Sequence, residues 1–258
     1  VVTVAWAWSV NSTVITDATS NILDGGSFSK HDSVVATATP SDDEESGAAL
    51  DSDAVAILNS APAITSVSLD PTDIYEASTV TCTPAGWTDV DGDTEAYLYA
   101  WEVNATATAE TGSTLDGTSF SKGDTVSCTA TPDDGDGQQG DTLTSTTATV
   151  GNTPPTIASA TLSTTTPREG DSITVTVSGA TDDDGDTLTY QYAWYVDSAF
   201  VAATSELTSS SFSKGQSIWV EVTPHDGTDG GVYVTSDTAT AQNTPPVLDS
   251  VTLTPDPV

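Results

Sequence analysis

Phe120-Ser121-Lys122-Gly123-Asp124-Thr125-Val126-Ser127-Cys128-Thr129-Ala130-Thr131-Pro132 decides the fold of this chain. Val126, Cys128 and Ala130 share one face of the stretch, with polar residues between them. A period of two marks a strand with one buried side, and the Ser-Lys-Gly-Asp ahead of it has the composition of a turn. The stretch recurs 92 residues earlier, from Phe28 to Pro40, and 92 residues later, from Phe212 to Pro224. Trp8, Trp101 and Trp194 stand 93 apart, and Asn-Thr-Pro-Pro at 152–155 returns at 243–246, with a degenerate Asn59-Ser60-Ala61-Pro62 before them. The chain is therefore a tandem array with a period of about 92 residues.

Residues before proline favour extended backbone, and proline cannot donate to a ladder, so each Pro-containing segment reads as a short stiff linker into a first strand. This ruler expects a partial repeat over 1–60 lacking its first two strands, complete repeats over 61–152 and 153–243, and a final segment, 244–258. That segment reads as the first strand of a following repeat or as a donor strand for a neighbouring subunit.

Composition agrees with an all-β reading. Threonine and serine abound, methionine is absent, and strong helix formers are scarce. Four Lys and Arg face 38 Asp and Glu, for a formal charge of −34. So few cations exclude a nucleic-acid binder and disfavour an anionic membrane surface. No apolar run approaches the ~20 residues of a membrane-spanning helix. Such excess charge repels itself unless salt or bound cations offset it.

In the second repeat, alternation places strands at 64–69, 78–83, 97–103 with Tyr97, Tyr99, Trp101 and Val103 on one face, near 105–109, around 115–120, at 126–130 and at 142–150. About seven short strands in some 90 residues is the pattern of an immunoglobulin-like β-sandwich. Cys82, Trp101 and Cys128 stand in the Cys…Trp…Cys order of such a core, where a disulfide joins the sheets; two free buried thiols are the alternative. Val175 and Val220 replace both cysteines together in the third repeat, as expected of a bonded pair. A disulfide in turn implies an oxidising compartment.

The pattern Asn152-Thr-Pro-Pro … Asp182-Asp-Asp184-Gly-Asp186 … Trp194-Tyr-Val … Phe212-Ser-Lys-Gly … Asn243-Thr-Pro-Pro resembles the tandem immunoglobulin-like repeats, PKD-like and cadherin-like ones included, of large bacterial surface and secreted proteins. The resemblance covers nearly the whole chain and implies a secreted, non-enzymatic spacer, stalk, adhesin or filament module. Calcium binding occurs in part of that group.

Asp89, Asp91 and Asp93, with their copies Asp182, Asp184 and Asp186, are the candidate metal ligands, because carboxylates on a Gly-containing loop suit a hard cation such as Ca²⁺. Asp-Gly is also simple turn chemistry. Further acids, Asp133, Asp134 and Asp136, precede the last strands, with Asp226 and Asp229 in the third repeat. Sandwich topology places both acidic loops at the end facing the preceding repeat. The lysines fall at the opposite end, where Lys122 is expected to pair with Glu76 and Lys214 with Glu169, or each to reach the acidic loops of the next repeat.

Asn11 and Asn104 open Asn-x-Ser/Thr acceptor patterns for glycosylation. Tyr195 and Trp219 are expected to point outward on neighbouring strands, as a lateral contact surface or sugar platform particular to the third repeat. The two histidines occupy different repeat positions, and no nucleophile elbow, P-loop or zinc-ligand spacing occurs. The sequence thus predicts a non-enzymatic extracellular structural protein that requires no cofactor, with self-association or neighbouring repeats as its partners. An adhesin for carbohydrate or protein, or a surface-layer component of a salt-adapted organism, is the alternative.

Overall fold

Strand Thr125–Asp133 pairs antiparallel with Ala96–Val103, setting Cys128 opposite Trp101 and Ala130 opposite Tyr99 in the computed structural model, which describes residues 1–254. Val126, Cys128, Ala130 and Trp101 are all nearly sealed from solvent. The same pairing recurs with Trp8 opposite Ala36 and Trp194 opposite Val220. Every element of substance is a strand, so the fold is all-β, built of tandem β-sandwich repeats. Among the described residues no helix is long and apolar enough to cross a membrane.

The chain divides into two compact units that do not follow the repeat boundaries. The first holds Val1–Asp73, Thr79–Ser119 and Thr125–Ala148; the second holds Ile74–Ser78, Phe120–Asp124 and the chain from Thr149 onward.

In the first unit, Thr3–Val10 and Ser33–Ser41 form the centre of a five-stranded sheet, flanked by Thr13–Ile15 and Leu50–Asp51, with Val55–Ala56 also on Ser33–Ser41. The second repeat supplies two facing sheets. One runs Thr114–Leu115, Val80–Ala85, Ser66–Asp70; the other carries Leu143–Thr144, Thr125–Asp133, Ala96–Val103 and Thr106–Ala107. The Cys82–Cys128 disulfide joins the two sheets across buried Trp101. It closes a 46-residue separation, which chain-entropy arguments value at about 4 kcal/mol.

The second unit contains the third repeat. Its sheets are Ser159–Leu162, Ile173–Ser178, Glu206–Leu207 and, facing them, Ala199–Ala202, Thr189–Val196, Ser217–His225, Val234–Thr235, with Ala239–Thr240 on Ser217–His225. Trp194, Ile173, Leu207 and Val220 form its dry centre. Val220 holds the place of Cys128, and Val175, opposite Leu162, that of Cys82 opposite Leu69. Each repeat's tryptophan ties its indole N–H to a loop carbonyl: Trp8 to Ser20, Trp101 to Gly112, Trp194 to Thr204, all at 2.8–2.9 Å. Trp101 and Trp194 are thereby fully buried without orphaning their donors.

Several expected strands shift: the first is Ser66–Asp70 and not 64–69, and of 115–120 only Leu115 is strand, with Gly117–Ser119 in a 3-10 turn. The second strand begins at Val80, not 78, because Ser78 closes a turn with Tyr75, its Oγ accepting the Tyr75 N–H at 2.9 Å. It runs on through Pro84, whose missing N–H falls on the side that Thr114–Leu115 leaves open. The segment expected at 142–150 is two short strands, Leu143–Thr144 and Ala148–Thr149. Between them buried Ser145 turns its Oγ to the Cys128 N–H at 3.1 Å, and Ser236 does the same for Val220. Residues 244–254 form no strand and expose Leu248, Val251 and Leu253; the remainder of the expected donor segment, 255–258, lies outside the described residues.

Candidate functional site

The Phe-Ser-Lys turn is built the same way each time. Phe120 and Phe212 are buried anchors. The serine N–H then donates to a side-chain oxygen three residues on: Ser29 to Asp32, Ser121 to Asp124 and Ser213 to Gln216, at 2.7–2.8 Å. The residue after lysine has positive φ: 69° at His31, 87° at Gly123 and 86° at Gly215. This left-handed step, natural for glycine at two of the three positions, turns the chain into the following strand.

Where the ammonium goes corrects part of the expectation. Glu76 and Glu169 do meet Lys122 and Lys214, but through the lysine backbone N–H, at 3.2 and 3.3 Å. The Lys122 ammonium instead donates to Asp186 of the third repeat and, at 3.0 Å, to Asn152 Oδ1. Lys30 likewise binds Asp93 of the second repeat and lies 2.8 Å from Asp136. The cross-repeat alternative holds at both junctions, the first lying within the first unit and the second within the second. Lys30 and Asp93 are less than one-fifth exposed. Asp136 and then Asp93 raise the Lys30 ammonium well above its ordinary value, and Asp186 raises that of Lys122.

The linkers dock into the same acidic loops. Asn59 donates to Asp134 Oδ2 at 2.5 Å, and the Ser60 N–H to Asp91 Oδ2 at 2.6 Å. One period later Asn152 donates to Asp226 and Asp229, and the Thr153 N–H to Asp184 Oδ2 at 2.6 Å. Gly140 and Gly231 complete the seat. A Cβ there would come within 2 Å of the Pro62 and Pro155 carbonyl oxygens respectively, so only glycine lets that strand approach the linker.

Within each loop one aspartate organises the backbone. Asp89 Oδ1 accepts the N–H groups of Asp91 and Asp93; Asp182 Oδ1 accepts those of Asp184 and Asp186. The expected ligand sets are thereby divided. Asp89 and Asp93 gather with Asp134, and Asp182 and Asp186 with Asp226, carboxylate oxygens in each group lying within 4.8 Å of one another. Asp91 and Asp184 turn an oxygen to the linker instead. Asp134 and Asp226 come from the second acidic loop, some 40 residues further along, which the sandwich topology was expected to bring to the same end.

Asn11 and Asn104 sit at φ near 50° in two-residue hairpin turns, and Asp197 takes the third copy of the position. Their side-chain oxygens accept the N–H of Ser33, Thr125 and Ser217 at 2.9–3.0 Å. What the three positions share is a hairpin-closing oxygen. Tyr195 and Trp219 pair across neighbouring strands and stack at 5.5 Å with planes 13° apart, and Phe200 packs edge-on to Tyr195. Glu221 accepts from the Tyr195 hydroxyl at 3.1 Å and pushes its pKa up.

No protein-family model and no curated protein matches this chain. Among solved structures it is similar to chicken CNTN1 FN1–FN3 domains, at 12% identity over 93% of this chain and 89% of that one, with a TM-score of 0.31. It is similar to domains A168–A170 of titin at 11% identity, with the same coverage and TM-score. The fibronectin(III)-like modules of Clostridium thermocellum CbhA match 69% of this chain and 94% of theirs at 15% identity and a TM-score of 0.26. Scores this low carry no argument about function, and the fold rests on the sheets themselves.

Proposed function

We propose that the chain is an extracellular structural spacer, a stalk or filament segment whose immunoglobulin-like repeats are clamped to one another in a fixed orientation. One observation carries this reading: the same lysine-to-aspartate contact, Lys30 to Asp93 and Lys122 to Asp186, recurs at both junctions with the linker asparagine and the following N–H docked alike. A flexible string of domains needs no such device, because Pro-rich linkers alone would join them. The disulfide favours an extracellular setting. Association of copies belongs to the same reading.

Spin labels at the exposed positions Asp51 and Thr106 report on the first junction. The native chain should give one narrow distance distribution and Lys30→Gln a broad one. Equal breadth in both proteins would show that the contact does not fix the repeats.

The outer face of the third repeat favours a second reading, a binding module for a planar apolar or sugar-ring ligand on the Tyr195–Trp219 stack. A glycan array probed with the native chain and with Tyr195→Ser/Trp219→Ser should show signals that the double variant loses. An array identical for the two proteins removes this reading.

A further inference from the structure

Among the described residues, repeat one keeps the linker seat of the other two repeats with no linker in it. Asp42 Oδ1 accepts the N–H groups of Glu44 and Glu45 at 3.0 and 2.9 Å, as Asp134 and Asp226 organise their own loops. In those two loops the second oxygen, Oδ2, takes the linker amide of Asn59 or Asn152. The Gly47 N–H meets the Pro40 carbonyl at 2.8 Å, as Gly140 meets Pro132 and Gly231 meets Pro224. A Cβ on Gly140 or Gly231 would strike a linker carbonyl, whereas at Gly47 the nearest atoms belong to Pro40 itself. Val2, Pro40, Asp42, Glu45 and Gly47 line an open depression there.

The core face beside the seat is open as well. Trp8 and Phe28 are half-buried, while their copies Trp101, Trp194, Phe120 and Phe212 are buried. In the third repeat Ile157, Ala160 and Leu162 cover that face, in one cluster with Trp194 and Phe212. In repeat one Trp8, Ile22, Phe28, Val34, Val55 and Ile57 line a groove of about 360 Å³ instead.

One segment of this chain matches both features. Asn243-Thr-Pro-Pro repeats Asn152-Thr-Pro-Pro, and Leu248, Val251 and Leu253 follow it at the spacing of Ile157, Ala160 and Leu162. All three are more than four-fifths exposed. The Gly215 N–H binds the Ala241 carbonyl, which sets Lys214 beside this segment. Unlike Lys30 and Lys122, the Lys214 ammonium makes no ion pair among the described residues.

We infer that the seat and groove of repeat one receive segment 243–253 of a second copy of the chain. The Asn243 amide goes to Asp42 Oδ2, and the Pro246 carbonyl lies against Gly47. Leu248, Val251 and Leu253 then cover Trp8 and Phe28. Lys214 faces Glu44, which stands 92 residues before the Asp136 that Lys30 reaches. The two surfaces differ, so the contact is head to tail, and each joined copy leaves one of each surface open for the next. This deepens the spacer reading by naming its partner, and it rests on that reading's junction geometry.

Zero-length carbodiimide coupling tests the inference, because it joins an amine only to a carboxylate already in contact with it. An equal mixture of heavy-isotope-labelled and unlabelled chain is coupled in about 1 M sodium chloride, which screens the repulsion between copies, and mapped by mass spectrometry. Lys214 should appear joined to the 42–45 loop in mixed-isotope pairs. Gly47→Ala puts a methyl where the linker carbonyl must sit, and should lose these pairs. So should Leu248→Thr/Val251→Thr/Leu253→Thr, whose changes all lie at exposed positions. Links of Lys30 to Asp93 and of Lys122 to Asp186 form within one chain and should persist in every variant. Mixed-isotope Lys214 links that are absent from the native chain, or that survive either variant, overturn the inference. Loss of the Lys30 and Lys122 links would instead strike the junction reading itself.

Discussion

Asp226 keeps its charge although it is nearly buried. The Asn152 amide, followed by the N–H groups of Asp229 and Thr228, outweighs the cost of burial and holds its pKa down to about 2, from the usual 3.8. A carboxylate depressed on folding contributes stability that is present above its unfolded pKa and is lost as pH falls through its folded one. The window for Asp226 is therefore from about pH 4 to about pH 2. Native protein should lose melting temperature across that window more steeply than Asp226→Asn, and the Asp226 carboxyl should titrate near the bottom of it by NMR. Titration near 3.8 would show that the Asn152 contact does not form in solution. Asp134 is depressed in the same way by the Asp136 N–H and the Asn59 amide against the cost of burial, and Asp136 by Lys30 and His31. The first junction should therefore share this acid sensitivity. The spacing of Phe-Ser-Lys located these residues without showing their roles. Each depends on a partner far away in sequence: Asp226 lies 74 residues from Asn152, and Lys30 lies 63 from Asp93.

At the scale of elements, most of the architecture could be read from alternation, because the long strands of the second and third repeats each bury one face. Tyr97, Tyr99, Trp101 and Val103 alternate with exposed Leu98, Ala100 and Glu102 as the period of two demands. What could not be read is where a strand yields to a side-chain hydrogen bond. Ser145 and Ser236 look like ordinary polar strand residues, yet each inserts its hydroxyl into the ladder and breaks the last strand in two. The acceptor pattern at Asn11 and Asn104 follows the same logic. The sequence shows a glycosylation signal, while the backbone shows a hairpin residue at positive φ that Asp197 can replace. Gly140 and Gly231 were equally opaque, since only the folded chain brings the Pro62 and Pro155 carbonyls against them. The meeting of the two acidic loops was legible, but not that Asp91 and Asp184 would turn to the linker. Asp89, Asp93, Asp182 and Asp186 belong to a recognisable loop, whereas Asp134 and Asp226 reach it through the topology of the sandwich.

At the scale of the whole molecule, the charge of −34 opposes any contact between copies, while exposed apolar residues favour it. Leu248, Val251 and Leu253 are more than four-fifths exposed. They stand 91 residues after Ile157, Ala160 and Leu162, which are buried in and just before the first strand of the third repeat. Repeat one, among the described residues, is a single sheet with Ile22, Leu50, Val55 and Leu58 exposed. A strand from one copy laid on another would bury apolar surface at about 25 cal/mol per Å², and the electrostatic term opposing it is the one that salt screens. That term falls steeply as the Debye length drops from about 30 Å at 0.01 M to about 3 Å at 1 M. Sedimentation velocity should therefore show a monomer in dilute salt and progressively larger species as sodium chloride is raised. Replacing Leu248, Val251 and Leu253 together by threonine should hold the protein monomeric throughout. A native chain that stays monomeric in molar salt, or a triple variant that associates as readily as the native chain, would show that these side chains are not the contact.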